Sequence, residues 1–349
     1  MKTNRTARTL SPERMVFEDL PLARPRCGEA VVRVEHVTLC GTDLHIWEGE
    51  YLNPFPIIQG HEAAGIVEEV ADTDDAHLIA SRVVISPVRS CGACHACRVG
   101  RSNVCERLSV LGCYEDGTLA HRVVVPTSSL RSVPGEVPPE LAPLSEPASI
   151  ALQAVRRGRP VAGELALVLG CGPIGLIATM ALRQSGVDVV AVDTIEERAR
   201  SAQHFGANGS FALTPGEDFP SRAEIAAAAG NDPDRAVSLV VEATGSPTAL
   251  VSAMDAVAHA GRVVIVGISD RDVTLPQRTI AFKELDVVGS RNSADLIPDG
   301  LALIAQNQPA FRSLITHRFA FDDTADALLA LQTDTAQVRK VLITIGANE

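Results

Sequence analysis

The feature that most narrows what this chain can become is Gly170-Cys171-Gly172-Pro173-Ile174-Gly175, set directly behind the apolar run 165–169 and directly ahead of a helical stretch. A GxGxxG string alone is common by chance. Here a strand precedes it, a helix follows it, and an acidic residue, Asp193, closes the next apolar run 23 residues after Gly170, which together make a dinucleotide fingerprint. Glycines let the backbone approach a pyrophosphate at a helix N-terminus, and a carboxylate at the Asp193 position accepts hydrogen bonds from an adenosine ribose. It also repels a 2′-phosphate, which favours NAD over NADP; Arg198, five residues on, either offsets part of that repulsion or stacks on the adenine. Asp193 has a second reading, as an N-cap for the helix that follows it.

The fingerprint sits inside a regular alternation. Apolar runs at 165–169, 187–192, 237–242, 262–266 and 285–288 are interleaved with helical stretches at 174–184, 196–205 and 248–259. That order predicts a doubly wound parallel sheet with helices on both faces. Up to about residue 145 the rhythm differs: β-branched runs at 30–37, 65–70, 82–86 and 121–125, broken by Gly and Pro, predict a mainly β half. The tail from 298 reads helix, strand, helix, strand and ends in the apolar run 341–345, and the alanine run 223–230 reads as a surface helix. A chain of 349 residues has room for about two domains of ordinary size, and 46% hydrophobic with 21% charged residues is the usage of a folded protein.

Four of the eight cysteines, Cys91, Cys94, Cys97 and Cys105, crowd into fifteen residues. In a large chain without an apolar leader behind Lys2, Arg5 and Arg8, that spacing points to metal rather than disulfides. Four thiolates around one cation match a closed, structural zinc site; His95 is then superfluous and reads as a surface residue. Cys27, Cys113 and Cys171 read as small buried hydrophobes. No apolar run reaches about 18 residues, and 31 basic against 43 acidic residues leave a net charge of −12, so neither a membrane span nor nucleic-acid binding is expected. The expected location is cytoplasmic.

A looser constellation consists of Cys40-Gly-Thr42-Asp43-Leu-His45, then Gly60-His61-Glu62, then Glu146-Pro147. Each piece alone reads as core or solvated surface. Together they offer one soft ligand, one imidazole and one or two carboxylates, the set for a zinc with three protein ligands and an open position. An ion held that way lowers the pKa of an alcohol bound to it.

With these three signatures in this order, the chain resembles the zinc-dependent medium-chain dehydrogenase/reductase superfamily over nearly its whole length. The resemblance implies a GroES-like β-rich catalytic domain from residues 1–147 and 290–349, with a structural-zinc lobe at 88–106, and an inserted Rossmann coenzyme domain at 148–289. It implies Cys40, His61 and Glu146 as catalytic zinc ligands, with Glu62 in or just behind that set. Thr42 corresponds to the hydroxyl that takes the substrate proton, and His45 to a residue that passes it to solvent or simply to a polar residue of the cleft wall. Ile174, Asp193 and Arg198 correspond to pyrophosphate and adenosine contacts; Thr244-Gly245, Val266-Gly267-Ile268 and Ser290-Arg291 fall beside the nicotinamide half.

Residues 146–158 resemble the sorbitol-type polyol dehydrogenases, 40–46 are equally similar to L-threonine dehydrogenases, and 289–292 resemble relatives acting on sugar acids. The implied activity is NAD-dependent oxidation of a secondary hydroxyl of a polyol, cyclitol, sugar acid or sugar derivative to a ketone, by a homodimer or homotetramer carrying two zinc ions per chain. An L-threonine-type amino-alcohol dehydrogenase is the alternative within the class. A catalytically inactive nucleotide-binding regulator of the same fold is the alternative outside it. Three departures from the family pattern stand out: a polar start, residues 1–12, that reads as a mobile arm; Ala80-Ser81 in place of the usual Gly-Asp turn; and Ile46-Trp47 after His45, which implies a differently shaped substrate pocket.

Overall fold

The computed structural model describes residues 3–50, 55–214, 216–230, 232 and 234–346. The chain divides into two units, Met1–Glu146 with Ile297–Glu349, and Pro147–Leu296.

In the second unit the apolar runs become six parallel strands in the order Gly209–Ala212, Asp188–Asp193, Leu165–Leu169, Val237–Glu242, Arg262–Ile265 and Asp286–Gly289. All five residues of Leu165–Leu169 are buried, as a central strand covered on both faces requires. Strand order reverses between Leu165–Leu169 and Val237–Glu242, which creates a crevice at their carboxyl ends. The expected surface helix is Arg222–Ala228, opened by a capping box of Ser221 and Glu224; it is not wholly superficial, because Ile225 and Ala226 point into the core.

The first unit is built on a seven-stranded sheet. Its main path runs Leu130–Ser132, Arg82–Ile85, Glu62–Val70, Glu29–Leu39, Lys340–Thr344, Ile315–Ala320, and Arg122–Pro126 also pairs with Glu29–Leu39. The C-terminal tail therefore supplies two strands of a sheet begun by the N-terminal half.

The start of the chain corrects the sequence reading. Thr3–Ser11 is not a mobile arm but a strand, antiparallel to Arg14–Pro21 and paired at its far edge with Ile57–Ile58. Its buried polar side chains Asn4 and Thr9 find partners: Asn4 Nδ2 donates to the Arg122 carbonyl at 2.8 Å, and the Thr9 hydroxyl donates to Gln59 Oε1 at 2.7 Å. Polarity signalled exposure, whereas partners across the fold supply the hydrogen bonds that burial demands. At Ala80-Ser81 the turn survives without glycine, with Ala80 in the left-handed region (φ 64°) and its N–H bonded to the Val67 carbonyl at 2.9 Å. Among the described residues no helix is long and apolar enough to cross a membrane.

Candidate metal and nucleotide sites

Two neighbouring antiparallel strands bring the first donors together. Cys40 follows Glu29–Leu39 and is the N-cap of the helix Gly41–Glu48; His61 immediately precedes Glu62–Val70, and Thr38 lies opposite Glu62. The end of one strand thus meets the start of the next, and Cys40 Sγ lies 3.1 Å from His61 Nε2. One ligand atom each from Cys40, His61 and Glu62 falls within 4.8 Å of the others. Glu146 is not part of that group. It opens the helix Ser145–Gly158, behind the 3-10 turn Pro139–Leu144, which packs on both strands. Burial first, then the Glu62 carboxylate, push the Glu146 pKa up to about 7, against the opposing pull of His61 and Lys340.

The surroundings prepare these donors. Cys40 Sγ accepts from the Thr42 N–H at 3.2 Å, which fixes the sulfur at the N-terminus of its helix. Asp43, fully buried, accepts from the N–H groups of Cys40 at 3.0 Å and Gly60 at 3.2 Å, and its Oδ1 lies 3.7 Å from His61 Nδ1. That arrangement leaves His61 Nε2 for the Cys40 side. Burial opposes a charge on His61, but Cys40, Asp43 and Cys113 outweigh it and hold its pKa well above the usual histidine value. A largely buried group of sulfur, imidazole and carboxylate donors is a set that suits zinc.

Three contributors here escape sequence reading, and a fourth, Asp43, is named there only as part of the Cys40 motif. Gln59 links the Thr9 hydroxyl to the Asp43 carbonyl, donating to the latter at 2.8 Å. Thr38 and Lys340 both bond the Glu62 carboxylate. Asp43 alone had a local signal, since it stands three residues after Cys40 as the partner in a capping box.

Thr42 is half-buried in the first turn of its helix, whereas His45 is exposed, with Nδ1 2.9 Å from Glu50 Oε2. Ile46 packs with Ile57, Val110 and Cys113, and Trp47 joins the core of the first unit, so both are packing residues. Cys113 and Cys171 are buried, but Cys27 is exposed, which corrects its assignment as a small buried hydrophobe.

The four-cysteine lobe is closed at its base by the ribbon Val88–Arg89 with Ser109–Val110. Sulfurs about 2.3 Å from one ion at tetrahedral angles sit about 3.8 Å apart. Cys94 Sγ is 3.5 Å from Cys97 and 3.8 Å from Cys105, and all four sulfurs lie within 4.8 Å of one another. Backbone N–H groups of Ala93 and Cys94 pull the Cys91 pKa down to about 6, while burial and the neighbouring sulfurs push Cys97 up to about 11. Sulfurs this crowded resist sharing negative charge unless a cation neutralises it. The lobe thus fits a structural zinc, and His95 is exposed beside it.

In the second unit, Gly172 caps the helix Pro173–Gln184, and nothing lies within 4 Å of where its side chain would be. Gly175 is the opposite case: a Cβ there would come 1.8 Å from the Gly170 carbonyl oxygen. One glycine leaves a helix N-terminus open to a ligand and the other lets helix and strand close up, which is the cradle a pyrophosphate requires. Asp193 Oδ2 accepts from the Cys171 N–H at 2.7 Å and Oδ1 from the Ile195 N–H at 2.9 Å. The residue that caps the next helix is Ile195, so Asp193 braces the glycine turn instead of serving as N-cap.

Arg198 is half-buried, Thr244, Ile268 and Arg291 are exposed, and Val266 and Ser290 are buried. Sequence reading missed Glu242, a buried carboxylate that accepts from the N–H groups of Thr244 at 2.6 Å and Gly245 at 3.0 Å and so shapes the turn facing Gly170.

Residues 26–135 match the alcohol dehydrogenase GroES-like domain and residues 173–306 the zinc-binding dehydrogenase domain. The chain is 32% identical over 345 residues to the starvation-sensing protein RspB of Escherichia coli K12, covering 96% of this chain and 97% of that protein. It is 31% identical over 328 residues to the L-galactonate-5-dehydrogenase of the same strain, covering 90% and 91% respectively. A solved structure of the alcohol dehydrogenase rspB from Escherichia coli CFT073 with NADH superposes with a TM-score of 0.90 at 30% identity, covering 98% of this chain and 99% of that one. With a GroES-like half, a doubly wound half and relatives along its entire length, this chain belongs to the zinc-type alcohol dehydrogenases of the medium-chain dehydrogenase/reductase superfamily.

Proposed function

We propose that this enzyme oxidises a secondary hydroxyl of a polyol, cyclitol, sugar acid or sugar derivative to a ketone, with NAD rather than NADP as acceptor. The observation that carries this reading is the buried meeting of Cys40, His61 and Glu62 in a chain whose other unit has an open glycine cradle backed by Asp193. When bound, zinc supplies a Lewis acid for the hydroxyl and the nicotinamide supplies the hydride acceptor.

The chain's own residues do the rest. Cys40, His61 and Glu146 hold the ion, with Asp43 fixing the orientation of His61. Thr42 takes the hydroxyl proton, and His45, exposed and bonded to Glu50, hands it to solvent. Cys91, Cys94, Cys97 and Cys105 hold a second ion that keeps their lobe closed. On the coenzyme side, the backbone at Gly170, Gly172, Pro173, Ile174 and Gly175 receives the pyrophosphate, Asp193 the ribose and Arg198 the adenine face. Thr244, Val266, Gly267, Ile268, Ser290 and Arg291 flank the nicotinamide. A sugar-acid substrate has support from the L-galactonate-5-dehydrogenase relative and from Arg291 in the 289–292 segment, since an arginine grips a carboxylate. The 40–46 segment favours L-threonine as the second reading.

Oxidation of sorbitol, a cyclitol, an aldonate and L-threonine, followed by the appearance of NADH, tests the assignment. Turnover of a polyol, cyclitol or aldonate supports it, and turnover of L-threonine alone overturns it. The Cys40→Ser enzyme should keep its fold and about one of two zinc equivalents, and lose at least about 100-fold in kcat. A wild-type chain holding one zinc and no activity on any of the four would instead favour a nucleotide-binding regulator.

A further inference from the structure

Lys340 is 3% exposed, and a lysine so deeply buried needs a reason. It opens the strand Lys340–Thr344, in which Leu342 pairs with Thr38. Side chains on a strand alternate between faces, so Lys340 and Leu342 share the face of Thr38, and Glu62, the partner of Thr38 on its other side, shares it too. Three adjacent strands thereby place three polar side chains together. Lys340 Nζ donates to Glu62 Oε1, and the Thr38 hydroxyl donates to Glu62 Oε2. Both oxygens of the one carboxylate that directly follows His61 are therefore held from neighbouring strands.

We propose that Lys340 is a positioning residue: with Thr38 it clamps the Glu62 carboxylate, so that an ion held by Cys40, His61 and Glu146 keeps one position open for the hydroxyl. This rests on the metal-binding reading of Cys40 and His61 given above. Glu62 has a ligand atom within 4.8 Å of both the Cys40 sulfur and the His61 imidazole, so it needs little movement to join them. Its carboxylate is drawn to a dication, and the competing attraction is the buried ammonium of Lys340. Removing that ammonium leaves a buried carboxylate with one hydroxyl for support, and the nearest compensation is the metal. A fourth protein ligand there closes the open position and ties the ion down.

The test uses the full-length enzyme with zinc kept in the four-cysteine lobe and cobalt loaded in the other site, comparing wild type, Lys340→Met, Glu62→Gln and the double variant. Two quantities are read: the visible d–d absorption of the cobalt, which reports its ligand set, and the rate of cobalt release to a chelator. Lys340→Met should shift the absorption toward a sphere with an added oxygen ligand and slow release by about tenfold, and Glu62→Gln in the same chain should restore both to wild type. An unchanged spectrum, a faster release, or a shift that Glu62→Gln fails to reverse overturns the proposal.

A merely structural role for Lys340 would change melting without the spectral change or its reversal. Should Lys340→Met not fold, Thr38→Val, which removes only the hydroxyl donor, must give the same shift in smaller degree, and its absence counts against the clamp. If wild type takes up no cobalt beyond the four-cysteine equivalent, the metal-binding reading itself falls, an outcome distinct from a wild type that binds cobalt and a Lys340→Met enzyme that behaves identically.

Discussion

His36 shows how one residue couples stability to pH. It is half-buried on the central strand Glu29–Leu39, and its Nδ1 is buried without a hydrogen-bond partner. Burial pulls its pKa below 6.5, Arg318 and Arg82 add to that, and Glu35 and Glu140 oppose it. The folded state therefore prefers the neutral ring, and the unfolded chain binds the proton first as pH falls. The contribution is present above the ordinary value of 6.5 and is lost as pH drops through the lowered folded-state value. Melting temperatures measured from about pH 7.5 to about 5 should fall more steeply for wild type than for His36→Leu; parallel curves would remove this histidine from the account. Asp193 carries a different load: it braces the Cys171 N–H at 2.7 Å and is the residue proposed above to hold the ribose. Asp193→Ser should weaken NADH binding by about tenfold or more in a fluorescence titration while narrowing the preference over NADPH.

At the scale of elements, both sites depend on the close approach of turns. Gly60, with φ 90°, leads into His61, and a side chain on Gly112 would put Cβ 2.3 Å from the Gly60 carbonyl oxygen. Gly112 itself has φ 77°, so Gly112→Ala is strained twice, and the expected cost is about 1–3 kcal/mol with looser metal retention. Denaturant unfolding and zinc analysis of that variant check it; wild-type values for both would show that the loop adapts. The cysteine lobe behaves differently, since its ligands lie within fifteen residues and its spacing alone predicts the site. The Cys40, His61 and Glu62 group is assembled from the end of one strand and the start of another, 21 residues apart between Cys40 and His61. Its individual pieces were legible as motifs, but their convergence depended on the pairing of Thr38 with Glu62.

For the molecule as a whole, one core in the first unit runs from Ala7 through Leu39 and Val67 to Leu328 and Ile345, so the beginning and end of the chain stand or fall together. The metal sites proposed here belong to that unit and the glycine cradle to the other. Calorimetry with and without a strong chelator should therefore show the transition of the first unit fall by roughly 5–10 °C while NADH added to the chelated protein still raises the other. A chelator that leaves both transitions in place would argue against tightly held metal.

What the sequence determined by itself is whatever short-range geometry suffices to encode: the CxxCxxC spacing, the glycine turn between Leu165–Leu169 and Pro173–Gln184, and the alternation of strands and helices. Hydrogen-bond ladders and ligand spacings of that kind are set within a few tens of residues. Tertiary structure alone decided the rest: that a polar opening segment is a buried strand, that Asp43 stands behind His61, and that Lys340 reaches Glu62 across 278 positions. Those choices follow from strand register between distant segments, and a polar or charged residue's own neighbours in sequence hold no record of the partner that makes its burial tolerable.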